Sequence, residues 1–313
     1  MQKTTDQARP RPRQGIMEID AYVPGKGAAP AGAAADRDAY RARDVSRFEY
    51  TFTAPGVFVQ DEFAVAAWLS VSASLRADFH SRYGNFVSPR ISGLLRFGGW
   101  TARLSAGQGF FASTPLTEET EAAGLSRLYL PAPLRAERGR SGSADLTRSF
   151  GPLSLTATLF ASEVRDPVYV ERGRRYAVVN LPQPTTNRGA EWLATWRKAP
   201  FAITSSYTYV RSSEWEAGGS RADVALTPRH SMGLAGFWEQ EGKGRAGVEY
   251  YYTGRQRLEY DPSNTVSRPY SIVGAMAERR GSEAVRRFIN LGKLKKKRPK
   301  RWGRVPRPSP APA

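Results

Sequence analysis

Residues 68–80 read WLSVSASLRADFH, and after Trp68 the side chains sort by parity. Leu69, Val71, Ala73, Leu75, Ala77 and Phe79 are apolar; Ser70, Ser72, Ser74, Arg76, Asp78 and His80 are polar. Successive side chains of a strand point to opposite faces, so this stretch is a β-ribbon with one apolar and one hydrated side. The sorting recurs downstream. In Phe86–Phe97, Val87, Pro89, Ile91, Gly93, Leu95 and Phe97 oppose Ser88, Arg90, Ser92 and Arg96, with Leu94 the exception. Asn187–Lys198 sets Ala190, Trp192, Ala194 and Trp196 against Asn187, Glu191, Thr195 and Arg197. Gly244–Arg255 sets Ala246, Val248, Tyr250 and Tyr252 against Arg245, Glu249, Tyr251 and Arg255.

The connections between such ribbons alternate in length. Tight ones fall at Gly98-Gly99, Gly151-Pro152, Ala199-Pro200 and Glu241-Gly242-Lys243, and long polar ones at 112–137, 166–186, 211–227 and 257–268. This pattern predicts strands at 48–62, 68–80, 86–97, 100–111, 138–150, 153–164, 187–198, 201–212, 228–240, 244–256 and 269–279, with a further one at 285–291. Terse turns on one side and long loops on the other, joined by tilted strands of about 9–11 residues or more, describe an antiparallel up-and-down β-barrel of the bacterial outer membrane. A soluble sandwich shares the period but has shorter strands, about 5–6 residues on average. Here charged residues stand mid-strand and aromatics such as Trp68, Phe79, Phe97, Trp100, Phe150 and Phe201 cluster near strand ends, as interfacial girdles do.

Composition narrows the alternatives. The 313 residues have a mean hydropathy of −0.50 and no run of about 18 apolar residues, which excludes a bundle of transmembrane helices but not a barrel with a polar lumen. Cysteine is absent, so disulfides, thiolate metal sites and cysteine nucleophiles are excluded. The net charge of +18 is concentrated towards the ends; Gly292–Arg307 is dense in Lys and Arg and contains no acid. Such a run attracts any polyanion by counterion release and specifies none, so no specific nucleic-acid partner is expected. Three segments result: 1–46, irregular; 47–291, the strands; and 292–313, a basic Pro-rich disordered tail. The first twenty residues offer no secretory h-region.

Motif chemistry is sparse. Gly107-x-Gly109 lacks the third glycine and the following helix of a dinucleotide loop, so both read as strand glycines. Glu118-Glu119-Thr120-Glu121 reads as a solvated loop rather than a calcium cage. His80 and His230, the two histidines, cannot by themselves complete a zinc site of three protein ligands and read as surface or lumen groups. No nucleophile–base or phosphate-loop motif is present, and neither enzymatic activity nor a cofactor is expected. The mid-strand charges Arg76, Asp78, Arg90, Arg96, Arg103, Asp145, Glu191, Arg197, Arg245 and Glu249 are the candidate lumen lining. Facing lipid would cost about 2–4 kcal/mol for each Arg at the midplane, which assigns them to the wet side.

Several stretches together resemble TonB-dependent outer-membrane receptors, in the later half of their barrel. Pro55–Glu62 (PGVFVQDE) is similar to their strand ending in Gln-Asp-Glu, and Ser88-Pro89-Arg90 to their Ser-Pro-Arg motif. Gly107–Phe110 resembles their Gly-x-Gly-Phe strand end before a large external loop. Asn187–Glu191 is similar to Asn-x-Gly-x-Glu, Pro228-Arg229-His230 to Pro-Arg-His, and Tyr250–Arg255 to Tyr-x-x-Gly-Arg. The resemblance implies a 22-stranded barrel with a plug, outer-membrane lipid around it, and import of iron-siderophore or similar large nutrients energised through TonB. Of that design the chain is expected to supply about 11–12 strands, with no leader, TonB-contact segment or plug, and no transport alone. A small self-closing barrel acting as a passive porin or structural protein, and a soluble β-rich protein with a polyanion-binding tail, are the alternatives.

Overall fold

In a computed structural model, the chain is described over residues 15–19, 31–41, 48–116, 120, 125–216, 219–258, 265–280 and 286–295. The strands in chain order are β1 (Gly15–Ile19), β2 (Ala31–Tyr40), β3 (Tyr50–Ala66), β4 (Leu69–His80), β5 (Gly84–Phe97) and β6 (Trp100–Phe111). There follow β7 (Leu128–Tyr129), β8 (Glu137–Phe150), β9 (Leu153–Arg165), β10 (Val168–Arg172), β11 (Tyr176–Asn180) and β12 (Thr185–Lys198). The last are β13 (Phe201–Trp215), β14 (Arg221–Asp223), β15 (His230–Gln240), β16 (Gly244–Thr253), β17 (Tyr270–Arg280) and β18 (Arg286–Lys295).

Fourteen of them form one antiparallel meander in the order β1-β2-β3-β4-β5-β6-β8-β9-β12-β13-β15-β16-β17-β18, with β14 attached to β13. Each strand of the meander pairs with the next meander strand along the chain, the up-and-down order of a barrel wall, and among the described residues no ladder joins β1 to β18. Tight turns at 98–99, 151–152, 199–200 and 241–243 share one end of the sheet, and the long connections share the other. Gly98 (φ 52°) and Gly99 (φ 79°) both occupy left-handed backbone, which two-residue hairpin turns of the primed type require and glycine adopts without strain.

Burial in this sheet is inverted relative to a soluble domain. On the outward face Leu104, Leu159, Trp192 and Val248 are 55–63% exposed, and Val57, Leu75, Val87 and Ile91 are exposed with them. A contiguous exposed apolar surface of this extent is the kind that the outer face of a membrane barrel carries. The packed core lies elsewhere, in the long loops. Phe48, Leu128, Leu134, Val170 and Val178 are buried together, with Val168 and Tyr176 against them. Their scaffold is a separate three-stranded sheet ordered β10-β11-β7.

Four expectations are corrected. The first segment, expected to be irregular, contributes β1 and β2, and β2 pairs with β3 over its full length from Ala31↔Val59 to Tyr40↔Tyr50. Its run AGAAADRDAY alternates too little in size to register as amphipathic, yet backbone pairing needs no large side chain. At the other end β18 runs to Lys295, into the stretch expected to be a disordered tail. The long loop at 166–186 holds a hairpin, Val168–Arg172 against Tyr176–Asn180, and the sheet has fourteen strands rather than 11–12.

Candidate functional site: the polar face and the loop cap

Residues opposite each other on neighbouring strands share a face, so the register carries a side chain's orientation across the whole sheet. Ser74 faces Arg90 across β4–β5, which places Arg76, Asp78, Arg90 and Arg96 on one side. Arg96↔Thr101 transfers that side to β6 and Arg103, and Arg103↔Asp145 to β8. Asp145↔Thr158↔Glu191 carries it to β12, where Arg197 has the same parity. Glu191↔Thr208↔Ser231 carries it to β15, and Ala235↔Glu249 and Glu239↔Arg245 to β16. All ten charged residues singled out in the sequence thus occupy one face, opposite the exposed apolar band.

Some of these charges are matched within that face. Arg76 Nη2 lies 2.7 Å from Asp78 Oδ1, and Asp78 is itself buried. The carboxylate sits where a side chain on Gly56 would be: a Cβ there would come 2.5 Å from Asp78 Oδ1. Thr158 donates its hydroxyl to Asp145 at 2.6 Å, and Arg245 pairs with Glu278 at 2.7 Å. Among the described residues no carboxylate lies within ion-pair reach of Arg90, Arg96, Arg103 or Arg197. Arg90 and Arg103 stand with Glu62 among Ser72, Ser92, Ser105 and Ser143 around a cavity of about 690 Å³. This surface offers hydroxyls and more guanidinium groups than carboxylates, the donors for an anionic solute.

At the long-loop end the same face closes with aromatic rings. Tyr50 and Phe52 stack at 4.6 Å, and His80 lies 5.3 Å from Phe52 and 5.0 Å from Tyr83. His80 is buried rather than a free surface group. Its Nδ1 accepts the Arg82 and Tyr83 amides at 3.1 and 3.2 Å, so it holds the 81–83 turn. The Tyr83 hydroxyl donates to the Ser113 carbonyl, and burial pushes its phenol pKa up against the opposing pull of Arg82. His230 points to the opposite face, where it meets the Tyr207 hydroxyl at 2.8 Å. Gly107 and Gly109 are β6 residues; a Cβ on Gly107 would meet the Pro89 carbonyl at 3.3 Å. Of Glu118, Glu119, Thr120 and Glu121, the glutamates lie outside the described residues, and Thr120 donates to the Pro115 carbonyl at 2.9 Å.

The loop cap has defined contacts of its own. Asn180 accepts the Arg135 amide at 2.8 Å and donates to the Asp166 carbonyl at 2.6 Å, while Arg135 pairs with Asp166 at 2.8 Å. Arg127 and Arg172 lie 5.4 and 6.0 Å from the centre of the Tyr176 ring, and Arg175 lies 4.8 Å from that of Tyr129. Arg257 bridges Glu214 and Glu216, fastening the loop before β17 to the end of β13. The cap's integrity rests on apolar packing. Leu128→Ala removes a fully buried side chain and is expected to cost the cap about 2–5 kcal/mol. Limited proteolysis should then cut within 112–136 and 166–184 while the strands stay protected; unchanged cleavage there would show that the cap does not depend on this core.

An antiparallel meander with one lipid-type face, one charged face and long loops at a single end defines a membrane β-barrel wall. The chain belongs to the family described as TonB dependent receptor-like, beta-barrel, whose model matches residues 12–282. Members of that family are outer-membrane transporters rather than enzymes. Solved structures share the fold. The ferric enterobactin receptor PfeA of Pseudomonas aeruginosa, a mutant in complex with enterobactin, superposes with a TM-score of 0.67 at 14% identity, over 86% of this chain and 46% of that one. The siderophore receptor PirA of the same organism gives 0.66 at 15% identity, over 86% and 48%. The FrpB iron transporter of Neisseria meningitidis gives 0.64 at 12% identity, over 80% and 45%. The chain therefore spans less than half the length of these receptors.

Proposed function

We propose that this chain is a section of an outer-membrane receptor barrel that takes up iron-siderophore complexes or similarly large anionic nutrients. The observation that carries the reading is the gathering of all ten predicted charges on one face, with unmatched Arg90, Arg96, Arg103 and Arg197 among them. In this reading that face lines the lumen and the apolar face meets outer-membrane lipid. The cap receives the ligand, and energy arrives through TonB by way of parts this sheet does not contain. The structural neighbours include a siderophore receptor and a receptor in complex with enterobactin, which supports an iron chelate as cargo.

Among the described residues the edges of β1 and β18 carry no partner strand, and in lipid such edges pair with those of another chain rather than stay bare. The chain by itself is therefore a binding element and not a pore. Purified and refolded into phosphatidylcholine vesicles, it should quench its tryptophan fluorescence on adding ferric enterobactin and give no stepwise conductance in planar bilayers. Replacing Arg90 and Arg103 together by Gln should weaken the quench several-fold. A chain that stays in the aqueous phase, or one that binds ferric enterobactin equally well without those arginines, would defeat the reading. Stable conductance steps would instead establish a self-closing barrel.

A further inference from the structure

On the apolar face, Arg188 of β12 stands directly opposite Arg211 of β13. Both are exposed, and among the described residues neither has a carboxylate partner. Like charges facing each other across a ladder destabilise the pair unless an anion lies between or above them. Their height on the wall is informative. On β9 the outward side chains run Leu153, Leu155, Ala157, Leu159, Ala161 and then Glu163; on β13 they run from Phe201 to Tyr209 and then Arg211. The arginines therefore stand at the upper margin of the apolar band, at the long-loop end. Neighbouring outward positions add Arg140 and Arg165, both bonded to Glu163 at 2.8 and 2.7 Å, so that trio is net cationic.

Next to the arginine pair lies a groove of about 970 Å³. Its floor is the outward row Ala73, Ile91, Ala106, Gly142 and Ala161, small except for Ile91, which continues in register into Arg188. Arg140, Arg188 and Arg221 stand on its rim, and Arg221 is held upright by Ser213 and Thr186 at 2.7 and 3.0 Å. An apolar trough ending in several guanidinium groups at the water boundary matches an amphiphile with acyl chains and a phosphate headgroup.

We infer that this groove seats a phosphorylated lipid of the outer leaflet, its phosphate bridging Arg188 and Arg211 and its chains lying over the alanine floor. The inference rests on the membrane reading above. The bridging phosphate removes the repulsion between the two arginines, so it both binds the lipid and clamps β12 to β13. It is a different surface from the polar face, and its occupant is part of the membrane rather than cargo.

The test uses the whole chain in vesicles of phosphatidylcholine with or without dansyl-labelled phosphatidic acid, read as tryptophan-to-dansyl energy transfer. Dansyl-phosphatidylcholine sets the baseline. An arginine near an anionic lipid contributes about 1 kcal/mol, roughly five-fold in affinity, so Arg188→Gln with Arg211→Gln should reduce the preference for the phosphatidic acid by at least about ten-fold. Arg255→Gln with Arg268→Gln, which removes equal charge from the same end but away from the groove, should leave it unchanged. In pure phosphatidylcholine the Arg188/Arg211 double variant should resist urea at least as well as the parent. Equal loss in both double variants, or competition by inorganic phosphate as strong as by the lipid, would reduce the site to diffuse charge and overturn the proposal. Failure to insert into phosphatidylcholine at all would overturn the membrane reading and this inference with it. Insertion without preference would overturn this inference alone.

Discussion

Leu159→Arg should cost about 2–4 kcal/mol of stability in a bilayer, because in the proposed membrane orientation it places a guanidinium on the lipid side of the wall. Leu159 is 63% exposed in the middle of the outward row Leu104, Ala144, Leu159 and Ala190. Ser162→Arg, three residues along the same strand, enters the opposite face between Ser141 and Asn187 and should cost little. Urea titration of vesicle-inserted protein followed by tryptophan fluorescence measures both. The contrast depends on the solvent: in aqueous buffer the two substitutions would be nearly equivalent. Equal penalties in the bilayer would mean that the two faces are not lipid and water, and the barrel assignment would go with them.

Gly189→Val is the second substitution with a large expected effect. A Cβ at residue 189 would come 2.2 Å from the Tyr209 carbonyl oxygen and 2.6 Å from Phe160 Cζ. The ring could rotate away, but the carbonyl belongs to the β12–β13 ladder and cannot move without breaking it. Overpacking costs typically about 1–3 kcal/mol, and a clash with backbone falls at the upper end or beyond. Adding Phe160→Ala should therefore rescue little of the loss. Full rescue would show that the ring alone, not the ladder, demands glycine. The result would also explain Asn187-x-Gly189-x-Glu191 physically. Asn187 meets Ser162 and Ser212 across its two ladders, Glu191 faces the polar side, and Gly189 between them is where Phe160 lies down.

The wall strands β3–β6, β8, β9, β12, β13 and β15–β17 were legible because they carry a size and polarity contrast between their two faces. The parity rule needs only the sequence, and Arg103, Asp145 and Glu191 come out on one face because register transmits parity without loss. β2 was not legible: alanine and glycine on both faces give alternation nothing to act on, and its pairing is read only from its partner Pro55–Val59. The hairpin of β10 and β11 had a signal, two runs of Val and Tyr flanking Gly173, but five-residue strands fall below the length of a wall strand. His80 was beyond sequence reasoning, since accepting two amides from its own turn depends on a rotamer rather than a pattern. The lipid groove was equally hidden: its floor reads as undistinguished alanines until the ladder lines them up with Arg188.

The dry kernel of this molecule sits in its loops, around Leu128 and Val178, and not in its wall. Two solvents therefore govern two separate folding problems. Water drives the cap together by expelling itself from Phe48, Leu134 and Val170, while in the proposed membrane setting the wall draws its stability from a hydrocarbon surround. Detergent exchange or a thinner bilayer should loosen the strands and leave the cap's protection against hydrogen exchange intact, whereas cooling, which weakens apolar association, should act on the cap first. In the proposed receptor, the surface that first meets cargo would thus keep its shape independently of the membrane around the wall.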